Sequence, residues 1–237
     1  MLNIKPIIKI ILFLVFIFLF GCNVRNNQSE NRTLRDDTSI QHNEPVENKN
    51  RVKIVNKKKL LPSEYIQWVN NPVNGLCQTK IIGGFKYVFQ YEPVGYVVLR
   101  NNRQNKISDD DFEKEEKKIE GFQYFSLKLF APNDTDLLKY QVTNQEDYNK
   151  RLEYFSFHLQ KDIKLIEGAD TLSCSLYHFE RTYSITPYVQ CLIGFEAPFD
   201  EVQDMRLILI DELFGNGIIK IKFDQKDLQR IPQVKNS

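Results

Sequence analysis

Three hydrophobic patterns succeed one another along the chain. Ile10–Phe20 is an unbroken apolar run. Residues 23–59 hold only scattered aliphatics and no Phe, Tyr or Trp. From Leu60 onward apolar and polar residues alternate with the periods of strands and helices.

In that last region Pro62–Val69 predicts a short helix, with Ser63 as N-cap and Glu64 in its first turn. Tyr65, Ile66, Trp68 and Val69 give it an apolar face, and Asn70-Asn71-Pro72 ends it. Leu76–Ile82 and Phe85–Tyr91 predict a hairpin over Gly83-Gly84, with Phe85, Tyr87, Phe89 and Tyr91 on one face. Tyr96–Leu99 reads as a further strand. Ser108–Lys118 reads as a surface helix, with acids at its start and lysines at its end. Phe122–Phe130 and Leu137–Val142 read as strands. Thr143 and Glu146 open a longer helix, Gln145–Leu159, whose Tyr148, Leu152, Phe155 and Leu159 recur at helical spacing. The last third reads as strands at Lys164–Glu167, Thr171–Glu180, Tyr188–Glu196, Met205–Ile210 and Gly217–Phe223, with a turn at Gly215-Asn216-Gly217. Blocks of strands with turns too short for crossovers predict an α+β domain, a mainly antiparallel sheet with two or three helices.

The N-terminus sets the compartment. Met1–Lys9 carries two lysines and no acid. The apolar run that follows is shorter than the roughly 20 residues of a spanning helix, and it matches the apolar core of a secretory leader. Leu19-Phe20-Gly21-Cys22 then resembles the lipobox of bacterial lipoproteins. That resemblance implies cleavage after Gly21, a diacylglycerol thioether on Cys22 and acylation of its amine, which satisfy the two-signal requirement for stable anchoring. An uncleaved anchor or a plain secretory leader is the alternative. Asn23 in place of Asp favours the outer membrane, on a face the sequence does not specify. Residues 1–21 are thus expected as leader and 22–59 as a lipidated, flexible tether of roughly 33 Å root-mean-square span. Residues 60–231 are expected as the globular domain and 232–237 as a frayed tail.

Charge and motifs remove several function classes. The 237-residue chain has 32 basic against 31 acidic residues. Losing Lys5 and Lys9 with the leader keeps that near-neutral balance. A neutral body argues against nucleic-acid binding and against electrostatic docking to anionic lipid. The sequence has no P-loop, G-x-S-x-G, H-E-x-x-H or C-x-x-C. No cofactor is implied.

Cys77, Cys174 and Cys191 remain after Cys22. A hairpin centred near Thr182-Tyr183 would place Cys174 opposite Cys191, at a separation suited to a disulfide. Otherwise both are small buried residues. A metal site from Cys174, His178 and Cys191 is disfavoured, because strand residues four apart lie about 13 Å apart.

The densest polar-aromatic cluster is Tyr177-His178-Phe179-Glu180-Arg181-Thr182-Tyr183. On a strand His178 and Glu180 share one face, and Tyr177, Phe179 and Arg181 the other. One reading is a binding edge formed by Tyr177, His178, Glu180, Arg181 and Tyr183, or an acid–base pair of His178 and Glu180. The weightier structural reading is a strand end at which Arg181 pairs with Glu180 or Glu196 and His178 is a satisfied, half-buried residue. His158 reads as structural. Glu180, Glu196, Asp200 and Asp211 are too ordinary a set of carboxylates to mark a glycosidase.

Glu64-Tyr-Ile-Gln-Trp-Val69, Asn74-Gly-Leu76, Gln90-Tyr-Glu-Pro-Val-Gly-Tyr-Val-Val-Leu99, Asp162-Ile-Lys-Leu-Ile166, His178-Phe-Glu-Arg-Thr-Tyr183 and Phe214-Gly-Asn-Gly-Ile218 resemble a group of uncharacterised lipoproteins from Bacteroidota. The resemblance covers most of residues 61–223. It implies an envelope compartment and a single domain, and it carries no catalytic residues. The expectation is a lipid-anchored binding or accessory module of an envelope assembly, with an envelope protein as partner and no turnover. An inhibitor or immunity lipoprotein is the alternative, and an envelope hydrolase the third class.

Overall fold

The computed structural model describes residues 58–102, 107–183, 185–196 and 202–235. The expected leader, Cys22 and the expected tether up to residue 57 lie outside the described residues. In chain order the strands are β1 (Lys59–Leu60), β2 (Cys77–Ile82), β3 (Phe85–Glu92), β4 (Phe122–Phe130), β5 (Ile163–Glu167), β6 (Asp170–Ser173), β7 (Leu176–Glu180), β8 (Tyr188–Glu196), β9 (Met205–Asp211), β10 (Gly217–Phe223) and β11 (Gln233–Val234). The α-helices are α1 (Pro62–Asn70), α2 (Val94–Asn101), α3 (Asp109–Ile119), α4 (Gln145–Glu153) and α5 (Gln225–Gln229). This is the expected α+β architecture with antiparallel sheets.

One sheet has the order β2-β3-β4-β8-β7 and the other β10-β9-β5-β6. Every ladder in these two sheets is antiparallel. Their inner faces follow directly from period-two alternation: Phe85, Tyr87 and Phe89 on β3, Ile163 and Leu165 on β5, Leu207 and Leu209 on β9, and Ile219, Ile221 and Phe223 on β10 are all buried. The sheets meet through rings, with Phe125 on β4 lying 5.4 Å from Phe223 between centroids. The hairpin between β2 and β3 turns on Gly83 and Gly84, whose φ values of +58° and +82° suit the two-residue turn that matches strand twist.

A buried polar tie joins the two sheets. Asp211, at the end of the inward row of β9, accepts from the Tyr87 hydroxyl of β3. Its carboxylate also accepts from the Phe214 N–H at 3.0 Å and from Asn216 Nδ2 at 3.0 Å. The Asn216 amide donates to the Tyr87 oxygen as well, at 2.7 Å. The turn expected at residues 215–217 therefore delivers a side chain that completes this network.

Several elements differ from the sequence reading. Residues 96–99 are helical, within α2. Tyr96, Val97, Val98 and Leu99 are all buried, so the helix lacks a polar face, and its β-branched run mimics a strand. Residues 137–142 form turns. Their carbonyls are satisfied by the Arg151 guanidinium, which donates to Leu137 O and Tyr140 O, in place of a strand partner. Helix α4 stops at Glu153, is capped by Asn144 and not Thr143, and continues as a wide π turn over Tyr154–His158 and a 3-10 turn to Asp162. That widening sends Phe155 fully into the core and leaves Phe157 exposed.

Ser63 does not cap α1. Pro62 opens the helix, and the Glu64 carboxylate accepts from the Leu61 N–H at 3.0 Å. The predicted strand 171–180 is broken at Cys174-Ser175 into β6 and β7, which belong to different sheets. The tail expected to fray after Ile231 instead forms β11, which pairs in parallel with β1. Bonds from Gln233 N–H to Lys58 O and from Lys235 N–H to Leu60 O hold it. The folded unit therefore takes in Lys59 and extends to Val234, and Leu228 of α5 is buried beneath the tail.

Candidate functional site

The outer face of the five-stranded sheet carries α2 and a groove beside it. Registers place four residues in one row across the strands: Leu176 of β7 opposite Gly194 of β8, Gly194 opposite Tyr124 of β4, and Tyr124 opposite Glu92 of β3. The next row runs from His178 through Leu192 and Ser126 to Gln90. Between these rows and the C-terminal turn of α2 lies a groove of about 360 Å³, walled by Val97, Arg100 and Ile119 on one side and by Leu176 and His178 on the other. Gly194 is what lets the outer strand come so close. A Cβ built there would sit 2.9 Å from the Leu176 Cβ.

Charge at the groove is confined to one end. Glu92 is buried and forms an ion pair with Arg100. Burial raises its carboxyl above the ordinary range, while Arg100 and then Ser126 pull it back down. The guanidinium is thus held against Glu92 at the groove that Arg100 lines. Apart from Asn101 beside Arg100, the remaining wall is aliphatic and aromatic, so the groove offers a mainly apolar channel with one polar end and an exposed imidazole on its rim.

The predicted binding-edge residues divide between two environments. Tyr177 faces inward: its hydroxyl donates to Phe155 O and lies 3.2 Å from Cys191 Sγ. His178 is exposed on the groove face, and Glu180 is half-buried on the same face. No hydrogen bond joins them, so they form no acid–base couple. Arg181 does not pair with Glu180 or Glu196. Its guanidinium stacks 4.8 Å above the Tyr183 ring, beyond the strand end. His158 lies 3.7 Å from Glu153, on the surface.

The proposed disulfide is not formed. Cys77, Cys174 and Cys191 are all free thiols. The β7–β8 register sets Leu176 against Gly194 and Phe179 against Cys191, so Cys174 falls beyond the ladder instead of opposite Cys191. Burial pushes the Cys174 thiol up to about 11 and the Cys191 thiol up to about 12. Among the described residues no group of three His, Cys, Asp or Glu side chains is placed to hold a metal ion.

Sequence reasoning missed Glu92, Arg100, Tyr124 and Gly194. Gln90-Tyr-Glu-Pro93 and the one charged residue at the end of an apolar run were visible signals. With residues 96–99 taken as a strand, however, Arg100 could not be placed against Glu92. No family model matches the chain, and no curated protein or solved structure matches it either.

Proposed function

We propose that the protein is a lipid-anchored envelope binding module. It is held in the outer membrane through Cys22, and it takes an extended segment of an envelope protein partner along β7 and into the neighbouring groove. One observation carries this reading: β7 is the outermost strand of its sheet, and its outward side chains line the groove. A free strand edge supplies backbone hydrogen bonds for an incoming strand, and pockets beside it select alternate side chains. Leu176, Leu192 and Val97 would take apolar side chains. The Arg100 edge would take a carboxylate or a backbone carbonyl.

A second reading rests on the turn between β7 and β8. Tyr183 and Ile185 are 73% and 85% exposed there. Such an apolar tip supports the inhibitor or immunity class, in which a loop enters the cleft of a toxin or hydrolase.

The test is photo-crosslinking in living cells from a probe placed at His178, at Ile185, or at Lys220 on the exposed face of β10. One envelope protein captured from position 178 is the expected result. Capture from 185 alone favours the inhibitor reading. Capture from none, or equally from 220, overturns both. Cys22→Ala is expected to move the protein out of the membrane fraction, and unchanged membrane association refutes the anchor.

A further inference from the structure

The inward row of β5 reads Ile163, Leu165, Glu167, and its third member is a carboxylate where the alternation calls for an apolar side chain. Glu167 is only 2% exposed. Its Oε2 has no hydrogen-bond partner, and among the described residues no Lys, Arg or His pairs with it. A buried acceptor left unpaired costs about 1–3 kcal/mol, and more when it is charged. Native proteins keep few such groups, and each calls for an explanation.

The surroundings supply one. Glu167 lies at one end of the sandwich, opposite Met205 of β9 in the register. It borders a cavity of about 170 Å³ shared with Tyr91, Gln123, Val202, Met205 and Leu228. The Tyr91 hydroxyl donates to Gln123 Oε1 at 2.7 Å, which leaves the phenolic oxygen able to accept. Val202, 41% exposed, stands at the rim. Ile231 adds a further apolar side chain to the wall, and Gln203 a second amide beside Gln123. A cavity of about 150 Å³ accommodates benzene, so this one has room for a six-membered ring with one short substituent.

We propose that this end of the sandwich binds a small ligand with a primary ammonium group on a compact apolar body, and that Glu167 is its counter-ion. An ammonium has donors and no acceptor, which matches a buried carboxylate on the cavity wall with an acceptor left unpaired. The Glu167 carboxylate, whose residue borders the cavity, takes one N–H and the Tyr91 oxygen a second, while the ring lies against Met205 and Leu228. Burial raises the Glu167 carboxyl above its ordinary value in the free protein, and a bound cation opposes that shift by favouring the charged form. The site is separate from the groove beside β7 and does not depend on the function proposed for it.

The test uses Met205 as reporter. The chain has 2 methionines, Met1 and Met205, and Met205 is the one in the folded domain. The full chain in a nonionic detergent, labelled with methyl-¹³C methionine, is titrated with benzylammonium chloride and separately with benzyl alcohol. A saturable shift of the Met205 methyl is expected with benzylammonium. It should weaken at least about tenfold in Glu167→Gln and with the neutral alcohol, about the 1.4 kcal/mol that a tenfold change represents. Val202→Trp, which blocks the rim and leaves the carboxylate in place, should abolish it. Absence of a saturable Met205 shift overturns the site, as does unchanged binding in Val202→Trp. Equal affinity for benzyl alcohol, or for Glu167→Gln, overturns the role of Glu167 as counter-ion.

Discussion

Replacing Asp211 with Ala tests whether the polar tie between the sheets stabilises the fold. The carboxylate accepts three bonds, from the Phe214 N–H, from Asn216 Nδ2 and from the Tyr87 hydroxyl. The Asn216 amide keeps a second partner in the Tyr87 oxygen. The Phe214 N–H and the Tyr87 proton lose theirs. Two buried donors left unpaired, at about 1–3 kcal/mol each, set a loss of about 3–4 kcal/mol once relief of the buried charge is allowed for. In a domain of this size 1 kcal/mol moves Tm by about 2–4 °C, so Tm should fall by about 10 °C in thermal unfolding followed by circular dichroism. Tyr87→Phe removes two bonds, to Asp211 and from Asn216, but leaves Asp211 two donors and the Asn216 amide its bond to Asp211, so it should cost about 1–2 kcal/mol. The double variant should fall short of additivity by about 1 kcal/mol, because both changes remove the same contact. Tyr87 also gives the tie an alkaline limit. Burial first, and the Asp211 hydrogen bond second, hold its phenol well above the ordinary range. The fold therefore favours the protonated phenol. That contribution is complete below the unfolded value near 10 and is lost as the pH rises beyond it. A Tm loss under about 3 °C for Asp211→Ala, or full additivity with Tyr87→Phe, would refute the reasoning.

Arg100→Ala should destabilise by about 2–4 kcal/mol in urea unfolding, because it leaves the buried Glu92 carboxylate unpaired; Glu92→Gln/Arg100→Met should recover most of the loss. Cys174 and Cys191 should resist alkylation in the native protein and react at once in denaturant, since burial disfavours both thiolates; a mass shift of two hydrogens after oxidation, removed by reductant, would contradict the free thiols. Glu167→Leu should raise Tm at pH 7 by an amount equivalent to about 1–3 kcal/mol, and by less at pH 4. The sign follows from burial raising the Glu167 carboxyl: the fold favours its protonated form, whose contribution is complete below the unfolded value near 4.3 and is lost as the pH rises through the folded value.

The sandwich core was legible because its strands have one wet face and one dry face. Tyr188–Glu196 and Gly217–Phe223 match the observed strands end to end, and the Gly83-Gly84 hairpin falls at the expected residues. Legibility failed where that condition failed. Helix α2 is apolar on nearly every side, because it is covered on both faces, so period and composition pointed in different directions. The break at Cys174-Ser175 has no Gly or Pro to announce it; it exists because one chain segment must leave the four-stranded sheet and join the five-stranded one. Separately, the β7–β8 turn is centred near residue 185, beyond Thr182-Tyr183, and that register separates Cys174 from Cys191.

The two candidate sites follow from the same division. The tie at Asp211 and the cavity at Glu167 both arise where an inward row of a strand ends on a carboxylate, a pattern visible in Ile163-x-Leu165-x-Glu167 and Leu207-x-Leu209-x-Asp211. In one case three donors converge on the acid and the result is structural. In the other no donor reaches Oε2, and the residue borders a cavity. The sequence alone cannot separate these outcomes, because the donors that decide them come from Tyr87 and Asn216, over a hundred residues apart. The groove beside β7 depends likewise on a helix, a glycine and an edge strand drawn from three distant segments. In each case sequence pattern locates the acid or the strand, and only the fold decides whether a partner already occupies it.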